Sequence, residues 1–492
     1  MVTSGPIRAI SSQLADSKLQ SALTTLLPEK THLPGSDGYT ESNGSYFAAF
    51  ENEVTPSYIA RPSGVEDVSS LVKVLKPLAA REECKIAVRG GGHTAWAGSA
   101  NIKDGVTIDM RALRGISLNA DKTLVRIGAG ESWESVYKEL ETHGLTVAGG
   151  RVGKVGVTGL VVGGGLSYFS TARGFVCDSV VDFEVVLASG DVVHANAREN
   201  PDLWWALKGG LNNFGIVTSF EMKTFESQKM WGGIIYYLPD AFPQHIQAAY
   251  DYATAETPDE DTHLICSAGY GYGHQVVTTL VYHTKGEENP PPLQPFTAIQ
   301  PQIDQMTTLR STTHLGLCDE ISKVSHDGDR QYYITCTIRP DVALMNSIYQ
   351  MWQATLASLK EVPGFIFSVG FQPLTKALFQ NSASAGGNPQ GLSPSDAPLF
   401  IVLLSPVWSS PADDSRVIGE VGKLLEDIKQ LASEKGLLHR YIFTNYAFSD
   451  QDVFKGYGEE SVARLREASK KWDPEGFFQH GVPGGFKLSN TQ

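Results

Sequence analysis

Two stretches of this chain combine residue types that could do chemistry. In "VRGGGHTAWAG", from residue 88, His93 stands directly behind Gly90, Gly91 and Gly92, with Arg89 and Thr94 flanking the run and Gly98 beyond it. Successive glycines let the backbone enter the left-handed region and bring several N–H groups up to something bulky. An imidazole at the tip of such a turn can address another part of the same ligand. The second stretch, "GGRVGKVGVTGLVVGGG" at 149–165, holds Gly150, Val155, Gly156, Thr158, Gly159, Gly163, Gly164 and Gly165, with Arg151 and Lys154 as its cations. A diphosphate cradled by backbone N–H donors needs no basic side chain. Neither cluster meets the GxGxxG spacing of a dinucleotide fold cleanly. Two loops point to a cofactor long enough to be clamped twice. Glycines that merely let strands pack closely would cover one loop, but they leave the pair and His93 unexplained.

Other chemistries lack support. No HExxH or GxSxG occurs, so neither metal catalysis nor triad hydrolysis is indicated. Cys84, Cys177, Cys266, Cys318 and Cys336 are odd in number and scattered, which fits neither a zinc site nor a disulfide framework. The net charge of −14 argues against nucleic acid or an anionic membrane as partner. No apolar run approaches the roughly 18 residues of a membrane span. The N-terminus reads as a polar entry before an amphipathic helix, without the apolar core of a signal peptide. An intracellular protein is expected, secreted only if a leader has been removed. The sequon Asn43-Gly44-Ser45 is short enough to arise by chance.

The elements that must position these residues change character along the chain. From about 55 to 225, short β runs ("KIAVR", "GVTIDM", "LVRIGAG", "DFEVVLASGDVVHA") alternate with helices. One helix carries Val68, Leu71, Val72 and Leu75 on one face behind a capping-box spacing of Ser63 and Glu66. Another carries Trp133, Val136, Tyr137 and Leu140 and stops at Gly144. From about 230, strand-like runs rich in aromatic and β-branched residues ("GGIIYYLP", "RQYYITCTIRP", "GFIFSVGFQP", "PLFIVLLSPVW", "HRYIFTNYAF") surround two strong helices at about 341–359 and 414–435. That pattern predicts an antiparallel sheet with helices on one face. A last amphipathic helix stops at Asp473-Pro474 and resembles those of the first half, so the C-terminus is expected to return there.

Taken in order, "VRGGGHTAWAG", the second glycine stretch with its continuation to "VVHA", "NPDLWWALKGGLNNFGIVTSF" and "WDPEGFF" resemble the berberine bridge enzyme-like flavoproteins of the vanillyl-alcohol oxidase superfamily. The resemblance covers roughly 55–225 and 440–480. It implies FAD as cofactor, held by the two glycine loops together with Gly215 and Val217, and puts His93 where the family bonds covalently to the flavin 8α carbon. Many relatives add a cysteinyl link from the second loop. Val152 stands at that position, so a single histidyl link and no cysteinyl link is expected, and Cys177 reads as an ordinary buried thiol. Val155 corresponds to the position lining the dioxygen approach, where oxidase members resemble this chain and dehydrogenases carry a leucine. For the catalytic base, the resemblance points to Tyr446 on the run returning to the flavin, with Asn445 facing the other way onto the cofactor. His439 and Tyr441 are weaker candidates. A tyrosine of ordinary pKa near 10 needs a positive charge or hydrogen bonds beside it to serve near pH 7. In "YGEESVARL", Ser461 and Val462 replace the family's asparagine–aromatic pair.

The expectation is an α+β flavoprotein. Residues 1–54 form a helical or irregular segment, 55–226 a PCMH-type FAD-binding domain, 227–440 a substrate-binding domain with an antiparallel sheet covered by helices on one face, and 441–492 the return to the FAD domain. It would take a hydride from a small organic substrate to flavin N5 and pass electrons to dioxygen, giving hydrogen peroxide. Tyr236, Tyr237, Tyr332, Tyr333 and Phe367 tilt the substrate toward an aromatic, polyketide or alkaloid-like molecule over a sugar. The rival readings are a carbohydrate oxidase and a flavin-containing cyclase without net oxidation. Oligomeric state is not legible.

Overall fold

The computed structural model describes residues 17–325 and 327–491. The polar entry read at the N-terminus lies outside them; residues 17–26 form the helix behind it, with Leu19, Leu23 and Leu27 buried. Two small sheets, with a two-stranded pairing of Leu145–Thr146 and Phe225–Glu226 beside them, make up the first half. Tyr58–Ala60, Val106–Asp109 and Ile86–Arg89 lie parallel, with Thr31–His32 antiparallel at the edge. Ile116–Leu118, Leu124–Gly128, Ile216–Lys223, Val180–Val186 and Val192–Asn196 form a five-stranded antiparallel sheet. Helix Val65–Ala80 buries Val68, Leu71, Val72 and Leu75, the stripe its periodicity predicts. Helix Trp133–Glu141 opens on a Ser132/Ser135 capping box, and Gly144 follows it at φ +68°.

The second half is a nine-stranded antiparallel sheet. Strands Thr262–Gly271 and His274–His283 make a hairpin whose turn residues, Tyr272 and Gly273, both have positive φ (52° and 84°), as a two-residue type I′ turn requires. Helices Phe242–Thr254, Val342–Leu359 and Asp414–Glu434 cover one face, burying Ile235, Cys266, Phe367, Phe371 and Val402 in a shared core. The opposite face turns toward the glycine loops. There Gly370 is in register with Ser267 and Leu403, and the next row holds Gly269, Ser368 and Ser405. Helix Glu459–Trp472 packs Val462 and Leu465 into a core with Trp205, while Phe477 and Phe478 join Val68 and Leu71.

Three local expectations are corrected. The Ser63/Glu66 capping box does not form: Gly64 is the N-cap, and the Asp67 carboxylate accepts from Ser63 N at 2.9 Å and Lys30 Nζ at 2.7 Å. The run "HRYIFTNYAF" is not a strand beyond Leu438–His439, because its N–H groups turn inward: Tyr441 N donates to His439 Nδ1, and residues 444–446 close a 3₁₀ turn. Of the five aromatic side chains read as facing a substrate, Tyr237, Tyr332 and Phe367 pack under the helices. The sequon is spent on packing: Asn43 is buried and its amide bonds Asn52 O and Asn101.

Candidate active site

Strand Ile86–Arg89 delivers the first glycine loop onto the second, and the two touch glycine to glycine. A Cβ on Gly91 would lie 2.6 Å from Gly156 Cα and N, and one on Gly156 would lie 2.5 Å from Gly91 Cα and N. Real Cβ contacts are never so short, so each loop requires glycine in the other. The second loop is fastened to its surroundings on either side of Gly156. Trp133 N and Glu134 N donate to the carbonyls of Val155 and Gly153 (3.1 and 2.8 Å), and Thr158 Oγ1 donates to Ala129 O at 3.0 Å.

Both loops line one cavity of about 390 Å³. Gly90, Gly91, Gly92, His93, Thr94, Gly150, Val155, Gly156, Thr158, Gly159, Gly215, Val217, Asn445 and Tyr446 all border it, as expected. Arg89, Gly98, Gly163, Gly164 and Gly165 do not. Arg89 is buried and turns away to the carbonyls of Ser42 and Ser45 (2.5 and 2.7 Å), over the Tyr46 ring. Gly98 N donates to Glu51 at 2.9 Å. A side chain at Gly163, Gly164 or Gly165 would strike Asn445, Gln390 or Val176, so these three glycines serve close packing behind the loop. His439 and Tyr441 are also away from the cavity, bonded to Asp396 and Gln390.

His93 is half-buried, and its exposure is not at Nε2, which is enclosed and has no hydrogen-bond partner. Phe47 stacks on the ring, with centroids 3.9 Å apart and planes at 15°. Burial pushes the imidazole down to about 4 against the opposing pull of Asp327, so it is neutral at pH 7. A neutral imidazole is the nucleophilic form.

Across the cavity, the 3₁₀ turn Thr444–Tyr446 presents two neighbouring side chains with different tasks. Asn445 staples the second loop: its Oδ1 accepts from Gly165 N at 3.0 Å, and its Nδ2 reaches Gly159 O and Leu160 O at 3.4 Å. Tyr446 Oη accepts from Arg151 Nη2 at 2.7 Å and donates to Gln372 Oε1 at 3.3 Å. Arg151 Nη1 also donates to Gln372 Oε1 at 3.0 Å and to His263 Nε2 at 3.2 Å. Because that imidazole nitrogen accepts, His263 is neutral, and burial with the Arg151 charge beside it holds its pKa well below 6.5. The cation beside Tyr446 thus comes from the second glycine loop itself.

Sequence reading missed Gln372 and His263, which nothing marks apart from strand register. It also missed Trp96, Asn212 and Phe486, which border the cavity. Here a signal existed in two Gly-Gly pairs, at 209–210 just before Asn212 and at 484–485 just before Phe486, with Asn212 Nδ2 donating to Gly484 O at 3.0 Å. All five cysteines are buried and free, and none borders the cavity. Cys318 packs behind the second loop, its thiol 3.6 Å from Gly150 O and pushed far up by burial.

The residues fit an FAD. Glycines line a path in which an added Cβ at Gly159 meets no protein atom within 4 Å, leaving room for a ligand against bare backbone. His93 and Trp96 border the cavity, and the enclosed Nε2 of one and Nε1 of the other have no protein partner.

Comparison with known proteins agrees. The FAD binding domain family matches residues 56–196. The FAD-dependent monooxygenase tpcD of Cochliobolus heterostrophus is 35% identical, over 92% of this chain and 89% of its own. Among solved structures, 6-hydroxy-D-nicotine oxidase of Arthrobacter nicotinovorans superposes with a TM-score of 0.76 at 21% identity, over 92% of this chain and 97% of that one. Glucooligosaccharide oxidase of Acremonium strictum, described with a 6-S-cysteinyl, 8α-N1-histidyl FAD, gives 0.73 at 19% identity over 96% and 99%. These two share the fold. The relative in sequence and the matched domain carry the assignment further: the chain belongs to the berberine bridge enzyme-like family of FAD-linked oxidoreductases.

Proposed function

We propose that this FAD-dependent oxidoreductase removes a hydride and a proton from a small organic substrate, with Tyr446 as the base and dioxygen as the final electron acceptor, giving hydrogen peroxide. The carrying observation is the Arg151–Tyr446 contact of 2.7 Å on the cavity wall. Bound FAD supplies the hydride acceptor. The chain supplies the rest. The substrate proton passes to Tyr446 Oη, where Arg151 stabilises the oxygen while it is anionic. Gln372 accepts from Arg151, and from the Tyr446 hydroxyl whenever it is protonated, and so fixes their mutual orientation. His93 would hold the cofactor by a single covalent link, since Val152 borders the cavity where relatives place a cysteine and no thiol reaches it.

The substrate side supports a bulky molecule. Tyr333 is the aromatic of the original five that borders the cavity, beside Leu403. The sheet rows beyond Gln372 carry the small residues Gly370, Ser267, Ser368, Gly269 and Ser405, so a ring system reaching over that part of the sheet would meet no bulky side chain from them. An aromatic or polyketide-like substrate fits this better than a strongly charged one.

The name of the relative, FAD-dependent monooxygenase, gives the second reading, in which one oxygen atom enters the product. One experiment separates the readings. Candidate substrates are turned over under ¹⁸O₂, with peroxide and product mass measured together. Peroxide equal to product, with no label incorporated, supports the oxidase. Label in the product supports oxygenation. Product without flavin reduction under anaerobic mixing would favour the non-redox cyclase and overturn both.

A further inference from the structure

The segment between strands Thr31–His32 and Tyr58–Ala60, residues 42–53, wraps over the histidine loop and ties it to the large sheet. On the loop side, the Tyr46 hydroxyl donates to Ala100 O at 3.1 Å, and Phe47 N donates to Gly92 O at 3.0 Å. The buried Glu51 carboxylate accepts from Gly98 N and Ala100 N at 2.9 and 2.6 Å. On the sheet side, Phe47 O accepts from Gly328 N at 2.8 Å and Gln331 Nε2 at 3.3 Å, and Ala49 N donates to Asp329 O at 2.9 Å. Arg330 pairs with Glu53 in the same strap and with Asp414. Phe47 is thus held by its backbone from both sides, and its ring lies flat against His93.

We propose that Phe47 is the positioning residue for covalent attachment of the flavin to His93. This rests on the histidyl-link reading above. A histidine χ2 well is broad and two-fold, and Nε2 makes no hydrogen bond that would narrow it. The stacked phenyl face supplies the restraint: it fixes the plane of the imidazole, and so the direction of the nitrogen lone pair that must meet a single carbon. Misaiming that lone pair costs rate steeply, because bond formation needs a near-attack geometry. Attachment replaces one C–H bond of the 8α methyl group and the imidazole N–H by one N–C bond. The two electrons and two protons released pass to dioxygen as hydrogen peroxide.

The test compares wild type, Phe47→Leu, Phe47→Tyr, His93→Ala and the double variant His93→Ala/Phe47→Leu. Each purified protein is precipitated in acid, and flavin is counted in pellet and supernatant. On the His93→Ala background, where no link can form, FAD affinity is read by fluorescence quenching. Wild type and Phe47→Tyr are expected to keep their flavin in the pellet. Phe47→Leu is expected to bind FAD but attach it about tenfold more slowly or worse. The two His93→Ala proteins are expected to bind FAD equally well and melt at similar temperatures. Undiminished attachment in Phe47→Leu would overturn the assignment and leave the link standing. An affinity loss in the double variant as large as the attachment loss would overturn it too, making Phe47 a cavity wall. Flavin released by wild type itself would overturn the link, and the inference with it.

Discussion

The two walls of the cavity are built on different terms. On the glycine-loop wall the backbone does the work, and the constraint is the absence of side chains: Gly91 and Gly156 meet at distances that exclude a Cβ on either. On the opposite wall side chains do the work. Gln372 and Tyr446, from distant parts of the chain, form one hydrogen-bonded cluster with Arg151, the one side chain that the second glycine loop contributes to it. A diphosphate-bearing cofactor is the same whatever the substrate, so backbone donors suffice to hold it, whereas substrate chemistry needs a particular atom at a particular place.

The largest effect should come from breaking the loop wall. Gly156→Ala forces a methyl group against Gly91 backbone that cannot yield as a flexible side chain would. Overpacking of this kind costs about 1–3 kcal/mol, and the displaced loop should also lose its cofactor. Thermal unfolding and the flavin-to-protein absorbance ratio should both fall. Gly159→Ala sharpens the point, since its Cβ meets nothing in the protein within 4 Å. Its melting temperature without cofactor should match wild type while flavin content drops, because the space is the ligand's.

The second effect belongs to the opposite wall. Tyr446→Phe keeps the ring between Phe443 and Tyr333 and removes only the oxygen that Arg151 and Gln372 hold. Turnover should fall about 10²–10⁴-fold, as for loss of a general base, with flavin content unchanged. Arg151→Met should lower turnover as well and shift its pH dependence. Anaerobic stopped-flow bleaching of the flavin would read both. Full activity in Tyr446→Phe would move the base elsewhere.

The contrast also explains what the sequence could reveal. Glycine clusters at Gly90–Gly92 and at 149–165 are legible because close backbone approach tolerates no other residue, and stripes such as Trp133, Val136, Tyr137 and Leu140 are legible because burial repeats with the helix. Gln372 is not, because its place depends on strand register among nine strands brought together from across the chain. Arg151 was visible as a residue but not as the partner of Tyr446, 295 positions away. Tyr237, Tyr332 and Phe367 were misplaced for a related reason: an aromatic strand residue reads the same whichever face its neighbours leave open. The strap at 42–53 escaped because nothing in its composition says what it touches.

Acid should weaken the region behind the loop wall next. His314 is buried with Nε2 unpaired and Nδ1 bonded to Thr146 Oγ1 at 2.9 Å, and burial pushes it down to about 3. With an unfolded value of 6.5, the unfolded chain binds more protons between those limits. The stability this group allows is full above pH 6.5 and is lost as pH falls toward 3, by about 1.4 kcal/mol per unit. Glu51 opposes it: raised to about 7 by burial, it favours the folded state as pH drops from 7 to 4.5. Buried His93 and His245, pushed down to about 4, act in the same direction as His314 and outweigh Glu51, so urea unfolding at pH 7.5 and 5.0 should show a loss in wild type that narrows in His314→Leu. An equal loss in both would assign the acid sensitivity to other groups.

The smallest effect tests where the walls face each other. Val155 borders the cavity, and its carbonyl is tied to Trp133 N at 3.1 Å, so a substitution there alters side-chain volume over a fixed backbone. Val155→Leu adds one methylene where a small molecule must approach. Reduction by substrate, which the proposed function assigns to Tyr446 and the sheet, should keep its rate constant. Reoxidation by dioxygen should slow by up to about tenfold, equivalent to about 1.4 kcal/mol in the barrier. The two half-reactions, followed separately by flavin absorbance, decide it. If both slow together, the two walls share one access route; if only reoxidation slows, dioxygen enters on the loop side and substrate on the sheet side.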